Sequence, residues 1–158
     1  MLDRILLVTD LSADSAAAWD VAIALVQRTE LAELPVLDLA VSPAAYADVE
    51  APRAAQRLYD DDRRAAAEEM KRHVDACKAR GIHVRPIVRM GPLAESMAES
   101  IARTAQAELV DLIVLGVRPA SVLDRLLGNS IVAQVTRLAP CHVLWIKPGT
   151  RSSALPLP

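Results

Sequence analysis

Apolar residues along the chain fall into two alternating rhythms, one read as strands and the other as helices. The run ILLVT from Ile5 to Thr9 is short and apolar, as in a strand covered on both faces, and it stops at Asp10. Ser12 stands where it can cap a helix whose apolar stripe is Trp19, Ala22, Ile23 and Val26 and which ends near Arg28. Val36 to Val41 predicts a second strand, followed by Ser42-Pro43 and an irregular loop through Pro52. From about Ala54 to Arg80 the spacing of Leu58, Ala66, Met70, Val74 and Cys77 predicts a long helix. Its wet face carries Asp60, Asp61, Asp62, Arg63, Arg64, Glu68, Glu69 and Lys71, and Gly81 stops it.

His83 to Val88 predicts a third strand, Gly91-Pro92 a turn, and Leu93, Met97 and Ile101 the stripe of a third helix. Leu109 to Leu115 predicts a fourth strand ending on Gly116. Ile131, Val135 and Leu138 mark a short fourth helix closed by Pro140, and Cys141 to Ile146 a last strand. Residues 148–158, rich in Ser and Pro, predict a disordered tail, which leaves 1–147 as one domain without internal repeats. Strands alternating with helices imply right-handed crossovers and an α/β fold, an open five-stranded parallel sheet with helices on both faces. Ligands of such sheets lie beyond the carboxyl ends of the strands, where the winding direction reverses.

Composition supports the layered architecture and removes several function classes. With 53% hydrophobic residues, 3% aromatic and no Phe, the core must be filled by Ala, Val, Leu and Ile. A net charge of −2 offers no basic stripe to a phosphate backbone, so nucleic acid is not an expected partner. No apolar run approaches the roughly 20 residues that span a bilayer, and Met1-Leu2-Asp3-Arg4 leads straight into a strand. A cytoplasmic protein without membrane partners is expected. Cys77 and Cys141 match no metal or redox spacing and read as reduced thiols.

Two segments follow strands at the expected place: Asp10-Leu11-Ser12, and Gly116 through Ser130. Asp10 is either an acceptor for a ribose or base, or a helix-start residue bonded to backbone amides. Ser130 is either a phosphate contact or a helix-start hydroxyl, and Gly116 and Gly91 serve a ligand or a plain turn. The three histidines, His73, His83 and His142, fall on a helix and two strands away from this crevice. No nucleophile stands with a base, and no lysine follows a glycine-rich loop as in a P-loop, so no enzyme is expected and no metal site.

The segment LGVRPASVLDRLLGNSIVAQVTRLAPCHVLWI, from Leu115 to Ile146, resembles the C-terminal signature of the universal stress protein family. In that signature Gly, two residues, Gly, nine residues, Gly and a Ser or Thr wrap the phosphates of ATP. Gly116 falls on the first glycine and Ser130 on the hydroxyl. Arg125-Leu126-Leu127 and Ala139-Pro140-Cys141 also look like the family's sequence, and ILLVTDLSADS resembles its opening strand, with Asp10 on the adenosine-contacting aspartate. The resemblance runs over about residues 3 to 147. It implies a Rossmann-like fold of the adenine nucleotide alpha hydrolase type with strand order 3-2-1-4-5. It further implies a nucleotide site at Thr9, Asp10, Val41, Gly91, Gly116, Arg118, Gly128, Asn129, Ser130 and Ile131, taking ATP or AMP, with magnesium accompanying ATP. A homodimer through the last strand, Val143, Leu144, Trp145 and Ile146, is implied as well, with Trp145 in the interface or the monomer core.

The loop departs from the pattern twice. Pro119 stands at the second glycine and Asn129 at the third, with Gly128 displaced by one position. Proline supplies no amide hydrogen for phosphate, whereas asparagine enters the left-handed region more readily than most residues. Arg118 and Arg125 are the candidates to compensate, or else solvated surface. Two functions follow: a nucleotide-responsive dimeric stress protein without efficient catalysis, or a family member that binds no ATP and acts as a dimeric interaction module.

Overall fold

The computed structural model describes residues 2–12, 15–39, 50–87, 95–117, 130–147 and 149. In chain order these form β1 (Ile5–Thr9), α1 (Ala16–Arg28), β2 (Glu33–Asp38), α2 (Pro52–Lys78), β3 (His83–Ile87), α3 (Met97–Ala107), β4 (Leu112–Gly116), α4 (Ile131–Leu138) and β5 (His142–Trp145). All pairings are parallel and the order is β3-β2-β1-β4-β5, as expected from the sequence.

Every residue of β1 is buried, because β1 is the central strand with helices over both faces. On one face Ile5, Leu7, Val36, Val84 and Val114 pack beneath Trp19, Ala22 and Val26 of α1 and Val74 and Cys77 of α2. On the other, Leu6, Val8, Leu37, Ile113 and Leu115 meet Ile101 and Ala105 of α3 and Val135 of α4. Alternation along each strand thus divides one apolar run between two cores.

Among the boundaries that differ from the sequence reading, three have a clear local reason. The second strand starts at Glu33 and not at Val36, through Pro35. Leu39 N donates to Thr9 O at 2.8 Å, so odd positions of β2 face β1 and Pro35 brings no hydrogen to the carbonyl of Ile5. The β1–β2 ladder accordingly begins only at Leu7↔Val36. The fourth strand starts at Leu112, because Leu109 adopts φ 54 and Val110 N returns to Ala105 O at 2.9 Å, a helix-ending turn. The first helix starts at Ala16, for a reason given below.

The amino ends of the strands are clasped by ions. Arg85 of β3 donates to Glu33 at 2.8 Å and pairs with Glu108 behind α3. Asp111 accepts from the amides of Asp3 and Arg4 at 2.8 and 2.9 Å, and these bonds hold its carboxyl below the usual range. A cavity of about 310 Å³ opens here, lined by Arg4, Ile5, Glu33, Pro35, Arg85 and Glu108 among others, at the opposite end from the expected crevice. No described helix is long and apolar enough to cross a membrane.

Candidate functional site

At the carboxyl end of the sheet, Thr9 is the register partner of Gly116, so the two candidate segments leave the sheet side by side. This is the point where the winding reverses, since β1 lies between β2 and β4.

Hydrogen bonds among the described residues shape the turn after β1. Leu11 takes φ 56, in the left-handed region, which folds the chain back after Asp10. Asp10 Oδ1 accepts from the Ser12 amide at 2.9 Å and from Ser12 Oγ. The fully buried Thr9 hydroxyl accepts from the Leu11 amide at 3.0 Å and donates to Ser15 Oγ at 3.0 Å. Ser15 Oγ in turn donates to the carbonyl of Ser12 at 2.7 Å. Ser12 therefore does not cap α1, a correction to the sequence reading. Its amide and hydroxyl are committed to Asp10, and Ser15 stands at the helix start without a side-chain cap bond. Of the two readings of Asp10, the bond to a backbone amide is present.

Gly116 is explained by close approach. A Cβ there would lie 2.4 Å from Cβ of Ala18 and 3.5 Å from Cβ of Ser15. The missing side chain lets α1 seat against the end of β4. Ser130 is the N-cap of α4, with its hydroxyl accepting from the Ala133 amide at 3.1 Å. Ile131 opens the helix and packs against the core shared by α3 and α4. Val41, Gly91, Arg118, Gly128 and Asn129 lie outside the described residues, as do Pro119 and Arg125. Ser15, Leu11 and Ala18 were not legible as site-forming. In DLSADS both serines are plausible helix starts, and only the left-handed Leu11 separates their roles.

Other candidates sit elsewhere. His83 and His142 open β3 and β5 at the amino end, and His73 stacks on Trp19 with ring centroids 4.2 Å apart and planes 2° from parallel. Cys77 and Cys141 are free thiols whose pKa values are raised by burial, so both are protonated at neutral pH. Asp60 and Asp61 of the acidic triplet are exposed beside Gln56 and Arg64. Among the described residues no group of His, Cys, Asp and Glu is placed to hold a metal ion. Trp145 is half-buried against the α3–α4 core, and its buried Nε1 has no hydrogen-bond partner among the described residues. Residue 148 and residues 150–158 of the expected tail lie outside the described residues.

Comparison with known proteins agrees with this architecture. The model of the universal stress protein family matches residues 1–147. The structure of universal stress protein UspA from Lactobacillus plantarum is 23% identical, with a TM-score of 0.70, covering 93% of this chain and 99% of that one. A universal stress protein in complex with cAMP is 23% identical, TM-score 0.62, covering 94% and 99%. An Arabidopsis thaliana family protein with AMP bound is 13% identical, TM-score 0.58, covering 93% of each chain. No curated protein matches the sequence.

Proposed function

The chain belongs to the universal stress protein family, and from that premise we propose that it is a dimeric, adenine-nucleotide-responsive protein that signals without efficient turnover. ATP or AMP enters the crevice at the carboxyl end of β1 and β4, and changed stability or partner contacts report its presence. The observation that carries this reading is the pairing of Thr9 with Gly116, which brings the Asp10 turn and the end of β4 out of the sheet side by side. A helix N-terminus favours an anion, and Ser130 stands at one. Similar folds occur with cAMP and with AMP in their crystals. The absence of turnover is argued from the described side chains: His83 and His142 lie at the far end of the sheet, and both thiols are protonated.

The dimer is argued from the sheet edges. Ile146 N donates to Leu115 O at 3.1 Å, so even positions of β5 face β4 and the amides of Val143 and Trp145 face outward. Leu144 is 38% exposed beside them. Light scattering on eluted protein is expected to give twice the chain mass.

Native mass spectrometry of freshly purified protein, and calorimetry with AMP or with ATP and magnesium, test the nucleotide. Asp10→Ala is expected to weaken both nucleotides about tenfold or more, the scale of a hydrogen bond to a charged group. Ser130→Ala is expected to weaken ATP through its phosphates. No retained nucleotide and no binding at millimolar concentration would select the second reading, an interaction module. That reading is favoured by Pro119, which has no amide hydrogen to offer a phosphate.

A further inference from the structure

The turn that presents Asp10 is held by hydroxyls that the nucleotide itself need not touch. We infer that Ser15, together with Thr9, is a positioning residue for the nucleoside: the hydroxyl pair fixes the Asp10 turn, and so sets affinity without contacting the ligand. This rests on the nucleotide reading above and deepens it.

Leucine at φ 56 is disfavoured, because its Cβ crowds the following carbonyl, so the Leu11 turn needs outside support. Two bonds give it. The Leu11 amide donates to Thr9 Oγ1, and the Ser12 amide donates to Asp10 Oδ1. Thr9 Oγ1 is directed by donating to Ser15 Oγ, and Ser15 Oγ ties back to the carbonyl of Ser12. Both ends of the Asp10–Ser12 segment are thereby joined to one pair of buried side chains, Thr9 at 0% and Ser15 at 2% exposure. Ser15 opens α1 where that helix seats closely on β4, the close point being Ala18, whose Cβ lies 2.4 Å from where a Cβ on Gly116 would stand. Removing the Ser15 hydroxyl deprives Thr9 of its acceptor and Ser12 O of its side-chain donor. The segment that carries Asp10 is then held less firmly, by the Ser15 amide on Ser12 O at 3.0 Å and by the Ser12 bonds to the carboxylate.

Calorimetry with adenosine, AMP and ATP, on the full chain, separates this from a purely structural role. Ser15→Ala and Thr9→Val are each expected to weaken all three ligands by the same factor, about 3- to 10-fold. The adenosine-to-ATP affinity ratio then stays unchanged. Thr9→Ser, which keeps the hydroxyl, is expected to restore affinity. In an Asp10→Ala background neither substitution is expected to cause further loss, since the pair acts through that carboxylate. The inference is overturned if both variants bind as the wild type does, or if their losses are the same with and without Asp10. Should Ser15→Ala fail to fold, the Thr9→Val and Thr9→Ser pair decides alone. A wild-type chain that binds none of the three ligands overturns the nucleotide reading and this inference together. A wild-type chain that binds, with unaffected variants, overturns only the inference.

Discussion

At Gly116 a methyl group would stand 2.4 Å from Cβ of Ala18, well inside any tolerated contact. Either α1 backs away from the sheet or β4 bends, and Gly116→Ala is expected to cost about 1–3 kcal/mol by overpacking, read from its denaturation midpoint. Ala18→Gly in the same chain removes the opposing atom and is expected to recover part of that loss. His73 gives a pH-dependent counterpart. Burial against Trp19 lowers its pKa, opposed by Glu69 on its own helix and Asp20 on α1, while Arg72 lowers it further. The folded state therefore binds the proton less tightly than the unfolded chain, whose histidine titrates near 6.5. Stability tied to His73 is complete above that value and is lost as pH falls below it. His73→Phe is expected to flatten the fall in denaturation midpoint between neutral and mildly acid buffer, and an unchanged slope would assign the fall to other groups.

Helix ends and strand edges carry the next level. α1, α2 and α3 all finish in the same way, with a left-handed residue (Glu30, Gly81 and Leu109) and the next amide returning to Val26, Cys77 and Ala105. Only Gly81 suits that conformation, and Leu109 is moreover 70% exposed, so it contributes little burial in return. Leu109→Gly is expected to stabilise the protein by about 0.5–1 kcal/mol, the relief of left-handed strain less the added freedom of the unfolded chain. Gly81 was legible as a helix stop, whereas Leu109 read as strand because an exposed leucine and a buried one look alike in sequence. The start of β2 was not marked by its apolar run either, since the strand begins at Glu33 and passes through Pro35. A proline argues against an interior strand, yet here it costs only one rung, at the amino end where β1 and β2 have not begun to pair. On β5 the open amides make a direct test: Val143→Pro removes one outward donor and none that faces β4. It is expected to turn a dimer into a monomer by light scattering.

For the molecule as a whole, the parallel sheet and its order were readable because five apolar runs alternate with helical stripes over nearly the entire chain. The crevice was readable only as a location. The turn on its β1 side depends on a left-handed Leu11 and a buried hydroxyl pair, and the seating of α1 beside it on a missing Cβ, which are relations among distant or ordinary residues and leave no spacing to count. One edge of the sheet shows a further economy. His83 N donates to Ala32 O at 2.8 Å, so odd positions of β3 face β2 and Pro86, an even one, points its hydrogen-free nitrogen outward. Of the two outer strands, only β5 carries the full complement of outward amides. In the language of polymerisation the two described edges are unequal, β5 bearing outward amides at Val143 and Trp145 and β3 lacking one at Pro86. A pair formed through β5, as proposed, would leave the blunted edge outermost, so further growth through the sheet is expected to be disfavoured and light scattering at rising concentration is expected to level off at the dimer mass.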